Sequence, residues 1–455
     1  MTQNSAFKYL QIGLPEDIRR YQQAGYFTKA IELINAKLTQ DNISFPLKQS
    51  LLAHKEMFRR QPWDYPYDKS AALALIREHI KDFTEEEFDQ RQDRGEINWI
   101  YVNGQPHYLD RFFASLCKTD SAFAKRANVI PIGADGAGER LDSAIENMKT
   151  NGKLAQRIRA KISIQMKPEV FQKGQKVRAY LPIPAATAMQ SAIEIENVSP
   201  KPTTISSEDS DQRVVFWEET MTENHPFFVE FSYTSTATYL TLDSAKVAAK
   251  QPDFFLEEKA PHILFTPYIK SLVQEICGKE TNPLEKARKI YDFITLNVKY
   301  SFMPAYFSME DIAGNCARNL CGDCGVQALL FITLCRCAGI PARWQSGWKA
   351  EVEFCGSHDW AQFYVAPFGW LYADPSFGGG AVREHNEARR KHYFGNLDPY
   401  RMVANTKFQG DFSVPKEFWR CDPYDNQTGE METDKGALTY NDVIRTREVT
   451  ESKKL

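Results

Sequence analysis

The sequence lacks a long apolar run, an excess of charge of one sign and an internal repeat. Its apolar stretch Val326–Ala338 is interrupted by Gln327, Thr333 and Arg336, and it is shorter than the roughly 20 residues that a membrane helix needs. A formal net charge of −3 provides no electrostatic attraction to nucleic acid. We therefore expect neither a membrane nor a nucleic acid among the partners of this protein.

The first residues also lack the features of a secretory signal. Met1–Tyr9 has neither the basic start nor the apolar stretch of such a segment. Nine cysteines are an odd number, and most of them lie in the second half of the chain. This usage favours free thiols in a reducing compartment over a framework of disulfides. The predicted location is the cytoplasm, and no cofactor or metal is expected.

The periodicity of the apolar residues divides the chain into regions. With 455 residues, of which 43% are hydrophobic, the chain is long enough for several domains with separate cores. Helical spacing dominates residues 1–152, the predicted helical N-terminal region. Residues 153–242 alternate with a period of two, which predicts a β-sandwich-like module. Residues 243–425 form the predicted catalytic core, and residues 426–455 form a predicted polar C-terminal extension.

Local signals add detail to this division. Asn103-Gly104, between aromatic and β-branched residues, predicts a hairpin over Trp99–Tyr108. Pro, Asn, Ser and Asp separate the short alternating segments of the second region. The predicted strands are Arg157–Met166, Val177–Leu181, Ser191–Glu196, Arg213–Trp217 and Phe227–Thr234.

A cysteine at the start of an apolar helix is the strongest functional signal. Cys321-Gly322-Asp323-Cys324-Gly325 precedes the apolar stretch, which ends at Gly339-Ile340-Pro341. Asp323 is a plausible cap and the Gly-Ile-Pro segment a plausible stop, so Cys324 should begin a buried helix. The free N–H groups and dipole of a helix N-terminus favour the thiolate form of cysteine. Cys324 is therefore the candidate nucleophile.

A histidine and an aspartate follow at positions that complete a thiol catalytic site. His358 starts a predicted strand, Asp359–Val365, and Asp374 ends the next one, Gly369–Ala373. A hairpin between these strands would bring Asp374 beside His358. The imidazole would take the proton of the thiol and later give it to the leaving group, while the carboxylate would orient the imidazole.

These residues resemble the core of the transglutaminase-like superfamily, over about residues 265–380. The segments that carry the resemblance are Gly322-x-Cys324, Arg336-x-x-Gly339-Ile340-Pro341-Ala342-Arg343, His358-x-Trp360 and Trp370-x-x-x-Asp374-Pro375. The resemblance implies an α+β fold with a papain-like core, here preceded by the β-sandwich-like module and the helical N-terminal region. It also implies a triad of Cys324 as nucleophile, His358 as general base and acid, and Asp374 as orienting carboxylate.

The reaction implied by this resemblance is acyl transfer through a thioester on Cys324. Its substrate would be a peptide, a protein or a small amide. Water as acceptor makes the protein a cysteine protease or amidase, which we favour because bacterial members resemble hydrolases more often. An amine as acceptor would make it a cross-linking transglutaminase. A second oxyanion donor is expected beside the Cys324 N–H, and Tyr300 is one candidate.

Other readings of the same residues remain open. Cys321-x-x-Cys324 is also the spacing of a redox pair, although that reading leaves His358 and Asp374 without a role. A zinc site that used Cys316, Cys321 and Cys324 would consume the nucleophile. A binding or scaffold protein with an inactive core is a third possibility, but all three triad residues are present. The histidines at 262, 385 and 392 have no partner pattern and are expected at the surface.

Overall fold

Short amphipathic helices build the N-terminal third of the protein. The computed structural model describes residues 3–130 and 137–455. A 3-10 helix, Gln3–Ile12, precedes the α-helices. The α-helices are α1 (Glu16–Gln23), α2 (Phe27–Leu38), α3 (Phe45–Asp64), α4 (Lys69–His79), α5 (Glu85–Asp93), α6 (Phe112–Thr119), α7 (Ser121–Arg126) and α8 (Ala137–Asn151). The predicted helical character of this region is confirmed.

The predicted hairpin interrupts these helices. Its strands are β1 (Trp99–Val102) and β2 (Gln105–Tyr108), which pair antiparallel. Asn103 and Gly104 have φ angles of 51° and 78°. Both residues are thus left-handed, as a two-residue hairpin turn requires, and this is why Asn-Gly predicted the turn correctly.

The second region consists of alternating strands. They are β3 (Lys153–Met166), β4 (Lys176–Pro182), β5 (Gln190–Ser199), β6 (Thr204–Ile205), β7 (Val214–Thr220) and β8 (Phe227–Thr238). Every second residue of β3 from Leu154 to Met166 is buried, because one face of the strand packs on the core. Each predicted strand overlaps an observed one.

The third region surrounds a central antiparallel sheet. Its helices are α9 (Pro267–Cys277), α10 (Pro283–Asn297), α11 (Ile312–Asn319), α12 (Cys324–Cys337), α13 (Pro375–Arg383) and α14 (Glu387–His392). Its strands are β9 (Lys299–Tyr300), β10 (Cys321–Gly322), β11 (Ala342–Ala350), β12 (Cys355–Val365), β13 (Gly369–Ala373), β14 (Phe394–Gly395) and β15 (Arg401–Asn405). The sheet has the order β14-β13-β12-β11-β15, and α12 packs against β11 and β12.

The C-terminal residues complete the β-sandwich. The strands β16 (Glu430–Thr433), β17 (Gly436–Ala437) and β18 (Val443–Lys454) join sheets of the order β17-β16-β4-β7-β6 and β18-β3-β8-β5. A shared apolar core that includes Ile162, Val177, Trp217 and Phe231 lies between these sheets. The predicted β-sandwich-like module is present.

The prediction of a separate polar extension over residues 426–455 was wrong. The strand β18 pairs with β3 from Val443 opposite Met166 to Lys454 opposite Gln156. Few of its side chains are buried, Val443 and Val449 among them. An edge strand of this kind is held mainly by backbone hydrogen bonds, so its composition resembles that of a polar surface segment.

Two aromatic residues connect the helical region with the third region. Tyr300 and Phe302 belong to the apolar cluster of α4 to α7. Tyr300 also pairs with Gly322 in the parallel bridge of β9 and β10, directly before α12. The helical region therefore lies beside the N-terminus of α12. Within the described residues, no helix combines the length and the hydropathy needed to cross a bilayer.

Candidate active site

Cys324 is the first residue of α12, as predicted. Asp323 caps the helix, and its Oδ1 accepts a hydrogen bond of 3.2 Å from the Val326 N–H. The hydroxyl of Tyr306 donates to the same oxygen. Every residue from Gly325 to Arg336 is buried, so α12 is packed on most of its surface. These contacts fix the position of the Cys324 backbone.

Close packing around Gly325 explains the residue after the nucleophile. A Cβ at this position would lie 2.7 Å from Oδ2 of Asp359 and closer still to the Tyr306 hydroxyl. Only glycine leaves room for these two side chains beside the helix start. Gly325 thus lets Asp359 approach Cys324.

His358 projects from β12 and is hydrogen-bonded to Asp374. Its Nε2 lies 2.7 Å from Oδ2 of Asp374, and its ring packs 4.4 Å from the ring of Phe377. Burial lowers the pKa of His358, although the nearby Asp374 acts in the opposite direction. The imidazole is therefore neutral at neutral pH.

Asp374 is held in a buried network of charges. Its Oδ1 accepts from the Phe377 N–H at the start of α13, and its Oδ2 also accepts from Nη1 of Arg401 at 2.8 Å. Nε and Nη2 of Arg401 donate to Asp398. Burial by itself would raise the pKa of Asp374, but His358 and Arg401 outweigh it, and the pKa is lowered. Asp374 is thus ionised and fixed in orientation.

The Cys324 thiol is bonded to Asp359 and not to His358. Its Sγ donates to Oδ2 of Asp359 at 3.3 Å, and among the described residues no hydrogen bond joins Cys324 to His358. Burial and the carboxyl groups of Asp359 and Asp323 raise the pKa of Cys324 well above its ordinary value. In this state, burial and the two acidic side chains at the same helix end oppose the thiolate that the helix dipole is expected to favour.

Asp425 lies beside Asp359, and Gln427 donates hydrogen bonds to both. The side-chain amide of Gln427 donates to Asp359 and, at 2.6 Å, to Oδ2 of Asp425. Burial, Asp425 and Asp323 raise the pKa of Asp359 well above its ordinary value. Burial likewise raises the pKa of Asp425. Two neighbouring buried carboxyl groups of this kind tend to share a proton.

One pocket joins the thiol and the imidazole. It has a volume of about 390 Å³, and both Cys324 and His358 line it. Asp374 lies behind His358, outside the lining, and Tyr300 lies on the wall. The three predicted residues therefore meet at one place, with a direct bond between His358 and Asp374.

The sequence did not reveal several residues of this site. Asp359 occupies the unspecified position of His358-x-Trp360, so the motif assigns it no role. One signal for Arg401 and Asp398 was available: Arg401 begins a strand, β15, whose next three residues are apolar. The histidine predictions were partly wrong, because His262 and His392 are only 0% and 3% exposed. Each packs against aromatic rings, Tyr424 for His262 and Tyr239 for His392.

The surroundings of the other thiols bear on the redox and zinc readings. All nine cysteines are free, and Cys321 lies in β10, paired with Lys299. Among residues 3–130 and 137–455, no cluster of three or more His, Cys, Asp or Glu side chains is suited to a metal ion.

Comparisons with known proteins identify the region that contains this pocket. Residues 270–375 match the family model of the Transglutaminase-like superfamily, which confirms the resemblance. An uncharacterized protein of Haemophilus influenzae is 30% identical over 138 residues, 25% of this chain and 37% of that protein. This chain therefore spans little more than a third of that relative.

Two solved structures match part of this chain at low identity. A presumed cysteine protease from Cytophaga hutchinsonii has 16% identity and a TM-score of 0.40, over 67% of this chain and 90% of that chain. The periplasmic domain of TgpA from Pseudomonas aeruginosa has 14% identity and a TM-score of 0.28, over 55% of this chain and 96% of that chain.

Proposed function

Residues 270–375 form a transglutaminase-like core, and from this premise we propose that the protein is a thiol acyl-transfer enzyme. Cys324 is the nucleophile, His358 the general base and acid, and Asp374 the residue that orients the imidazole. One observation carries the proposal: an ionised, buried Asp374 holds His358 at 2.7 Å, and His358 shares a pocket with the Cys324 thiol. The substrate is a peptide or carboxamide.

The bond to Asp374 determines which nitrogen of His358 acts as the base. An ionised carboxylate can only accept hydrogen bonds, so Nε2 must carry the proton. In the neutral imidazole, Nδ1 is then unprotonated and has a free lone pair. The base is consequently Nδ1, and Asp374 stabilises the imidazolium that forms when it takes a proton.

Because the pKa of Cys324 is raised, the thiol must lose its proton to a base during the first step. The thiol leaves Asp359, turns to Nδ1 of His358 and loses its proton as Sγ attacks the substrate carbonyl. The backbone N–H of Cys324 lies in the first turn of α12, where N–H groups have no partner within the helix, so it can stabilise the oxyanion. His358 then protonates the leaving amine, and the thioester remains.

Deacylation decides between a hydrolase and a transferase. Water attacks the thioester carbonyl, gives its proton to Nδ1 and releases a carboxylic acid, after which the proton returns to the sulfur. We favour this route over amine transfer, which needs a channel that removes water from a lysine ammonium. The charges on the pocket wall favour water as the acyl acceptor, because a cationic wall disfavours an incoming ammonium group.

The test uses the full chain and peptides from a digested proteome, with an excess of a primary amine. Mass spectrometry should detect new cleavage or deamidation that Cys324→Ala abolishes and Cys337→Ala leaves unchanged. Cys337 is the matched control because it is a free cysteine at the other end of α12. Amine incorporation that depends on Cys324 would overturn hydrolysis but keep the thioester. Activity that survives Cys324→Ala would overturn the nucleophile, and a complete lack of reaction would favour a binding protein.

The location in the cell stays a prediction. Nine cysteines, several of them close to Cys324 in the sequence, favour a reducing compartment such as the cytoplasm. Fractionation of cells that express the full-length gene tests this directly.

A further inference from the structure

The wall of the pocket beside Cys324 is strongly cationic. Six lysine or arginine residues line it, against a single glutamate, Glu384. The whole chain has a net charge of −3, so this concentration of positive charge is local. The six residues are Arg111, Lys118, Lys349, Arg383, Arg389 and Arg447.

Two of these cations are already neutralised within the protein. Arg389 forms ion pairs with Asp142 and Glu384. Lys349 forms one with the buried carboxylate of Glu351 at 2.9 Å. The charges of these two residues are largely compensated by their partners, so they attract an anionic ligand only weakly.

Arg447 is different because its partners are neutral. Nη1 donates to Oγ of Ser357 at 2.8 Å, and Nε donates to the carbonyl of Cys355 at 3.3 Å. Among the described residues, no carboxylate lies within ion-pair distance of Arg447. Strand β18 thus brings a half-buried guanidinium next to the strand of His358 and leaves its charge uncompensated.

Lys118 is the counterpart of Arg447 from the helical region. Its ammonium lies 3.9 Å from the centre of the Tyr300 ring, and none of the described carboxylates forms an ion pair with it. Burial lowers the pKa of Lys118 to about 8, partly offset by the nearby Cys324. A partly buried ammonium without a counter-charge is unfavourable, and an anionic ligand in the pocket would relieve that cost.

Two further cations extend the same surface. The guanidinium of Arg111 lies 3.4 Å from the centre of the Phe302 ring, and Arg383 lies at the end of α13. Neither is paired with a carboxylate in the described part of the chain. Four cations from α6, its N-terminal flank, α13 and β18 therefore face one pocket, and none of them has a carboxylate partner in the described part of the chain.

We propose that this pocket selects acyl donors with a carboxylate close to the scissile bond, that is, acidic peptides. The carboxylate is either an Asp or Glu side chain or the free C-terminal carboxylate of the peptide, since both present the same group to Lys118 and Arg447. The proposal rests on the proposed function, because it names the substrate class of that site. Guanidinium and ammonium groups bind carboxylates through charge-assisted hydrogen bonds.

The first test measures the charge preference without any turnover. Iodoacetate and iodoacetamide alkylate thiols by the same reaction, but only iodoacetate is negatively charged. The rate with iodoacetate divided by the rate with iodoacetamide at Cys324 therefore reports the electrostatic potential in the pocket. We expect the ratio in the native protein to exceed the ratio for Cys324 in urea by about tenfold at low salt, and to fall as salt screens the field. A native ratio at or below the unfolded value would overturn the proposal.

Variants assign this effect to the unpaired cations. Lys118→Gln and Arg447→Gln should each lower the ratio toward the unfolded value, while Lys453→Gln should leave it unchanged. Lys453 is the matched control because it is an exposed cation on the same strand as Arg447. An unchanged rate of iodoacetamide labelling at Cys337 shows that each variant is folded. An equal loss in all three variants would overturn the assignment to Lys118 and Arg447.

The second test uses peptides that differ only near the cleaved bond. The peptides carry Glu, Gln, Lys or phosphoserine at the varied position. The Glu, Gln and Lys peptides are each made with a free and with an amidated C-terminus. Preference for Glu or for the free C-terminus supports the proposal and identifies the source of the carboxylate, and preference for Gln, Lys or phosphoserine overturns it. If Cys324-dependent cleavage shows no preference, this inference fails alone. If cleavage survives Cys324→Ala, the proposed function fails instead.

Discussion

At the scale of single residues, the chemistry of Cys324 depends on which neighbour holds its proton. The thiol donates to Asp359, whereas the base that should receive the proton is hydrogen-bonded to Asp374. Because Asp359 and Asp425 are buried together and both have raised pKa values, the pair tends to keep the thiol neutral. If Cys324 is the nucleophile proposed above, it rests in its unreactive thiol form.

Replacement of this carboxyl group should make Cys324 more reactive. Asp359→Asn removes one of the two buried carboxyl groups that share a proton and raise the pKa of Cys324. We therefore expect alkylation by iodoacetamide at neutral pH to become about three- to tenfold faster, since one pKa unit is a factor of ten in thiolate. Mass spectrometry of Cys324 measures this rate, with Cys337 as internal reference. An unchanged or slower rate at Cys324 would show that Asp359 does not control the thiol.

The bond between His358 and Asp374 leads to a different expectation. In Asp374→Asn, the amide can donate to Nε2 and place the proton on Nδ1, so kcat should fall about 10³- to 10⁴-fold. Asp398→Asn is the matched control, because it removes the other carboxylate of Arg401 without touching His358. Similar losses of kcat in both variants would mean that Asp374 contributes only to the buried charge network with Arg401 and does not orient His358.

The burial of His358 predicts the sign of the pH dependence. Catalysis requires neutral His358, and burial lowers the pKa of His358 from its ordinary value of about 6.5. Activity should consequently persist below pH 6.5 and decline only as the pH falls through the lowered pKa, where the imidazole gains a proton. A profile of kcat/KM against pH measures this. A decline that begins above pH 6.5 would contradict the burial of a neutral imidazole.

At the scale of elements, the start of α12 is the most crowded point. Glycine to alanine normally stabilises a helix by up to about 1 kcal/mol, but in Gly325→Ala the new Cβ would meet Tyr306 and Asp359. We expect a loss of about 1–3 kcal/mol in the free energy of unfolding, measured by urea denaturation. Gly380→Ala in α13 is the control, because its Cβ would meet only Arg383 at 3.7 Å, and it should be neutral or stabilising.

Elements with a strong internal pattern could be predicted, and elements defined by distant partners could not. The strand β3 and the helix α12 carry their burial pattern in consecutive residues, so their type was clear from the sequence. The strand β18 has mostly polar side chains on both faces and depends on β3, almost three hundred residues away. For the same reason His358 and Asp374 could be paired through a local hairpin, whereas Arg401 and Asp359 acquire their roles only from the packing of separate strands.

At the scale of the whole molecule, the pocket depends on regions that are far apart in sequence. Lys118 comes from the helical region, Cys324 and His358 from the third region, and Arg447 from the C-terminal strand. The charge of the wall is therefore a property of the assembled chain. A change that loosens one region should alter the pocket even where no lining residue is replaced.

Phe307 tests how closely these regions are coupled. Its ring is 0% exposed and lies 5.0 Å from the ring of Phe7 and 5.8 Å from that of Trp419, while the Arg60 guanidinium lies 3.9 Å from its centre. In Phe307→Ala, the cavity should cost about 3–5 kcal/mol. Because the ring contacts the N-terminal 3-10 helix, α3 and Trp419 of the third region, the helical region and the third region should lose stability together.

Urea unfolding followed by tryptophan fluorescence, together with alkylation of Cys324 and of Cys117 in the helical region, measures this coupling. In Phe307→Ala, both thiols should become accessible at the same, lower urea concentration. Phe45→Ala is the control, since the same change at a ring that is 51% exposed should shift the midpoint little. Separate midpoints for Cys117 and Cys324 would mean that the regions fold independently, and Lys118 would then reach the pocket only through a loose contact.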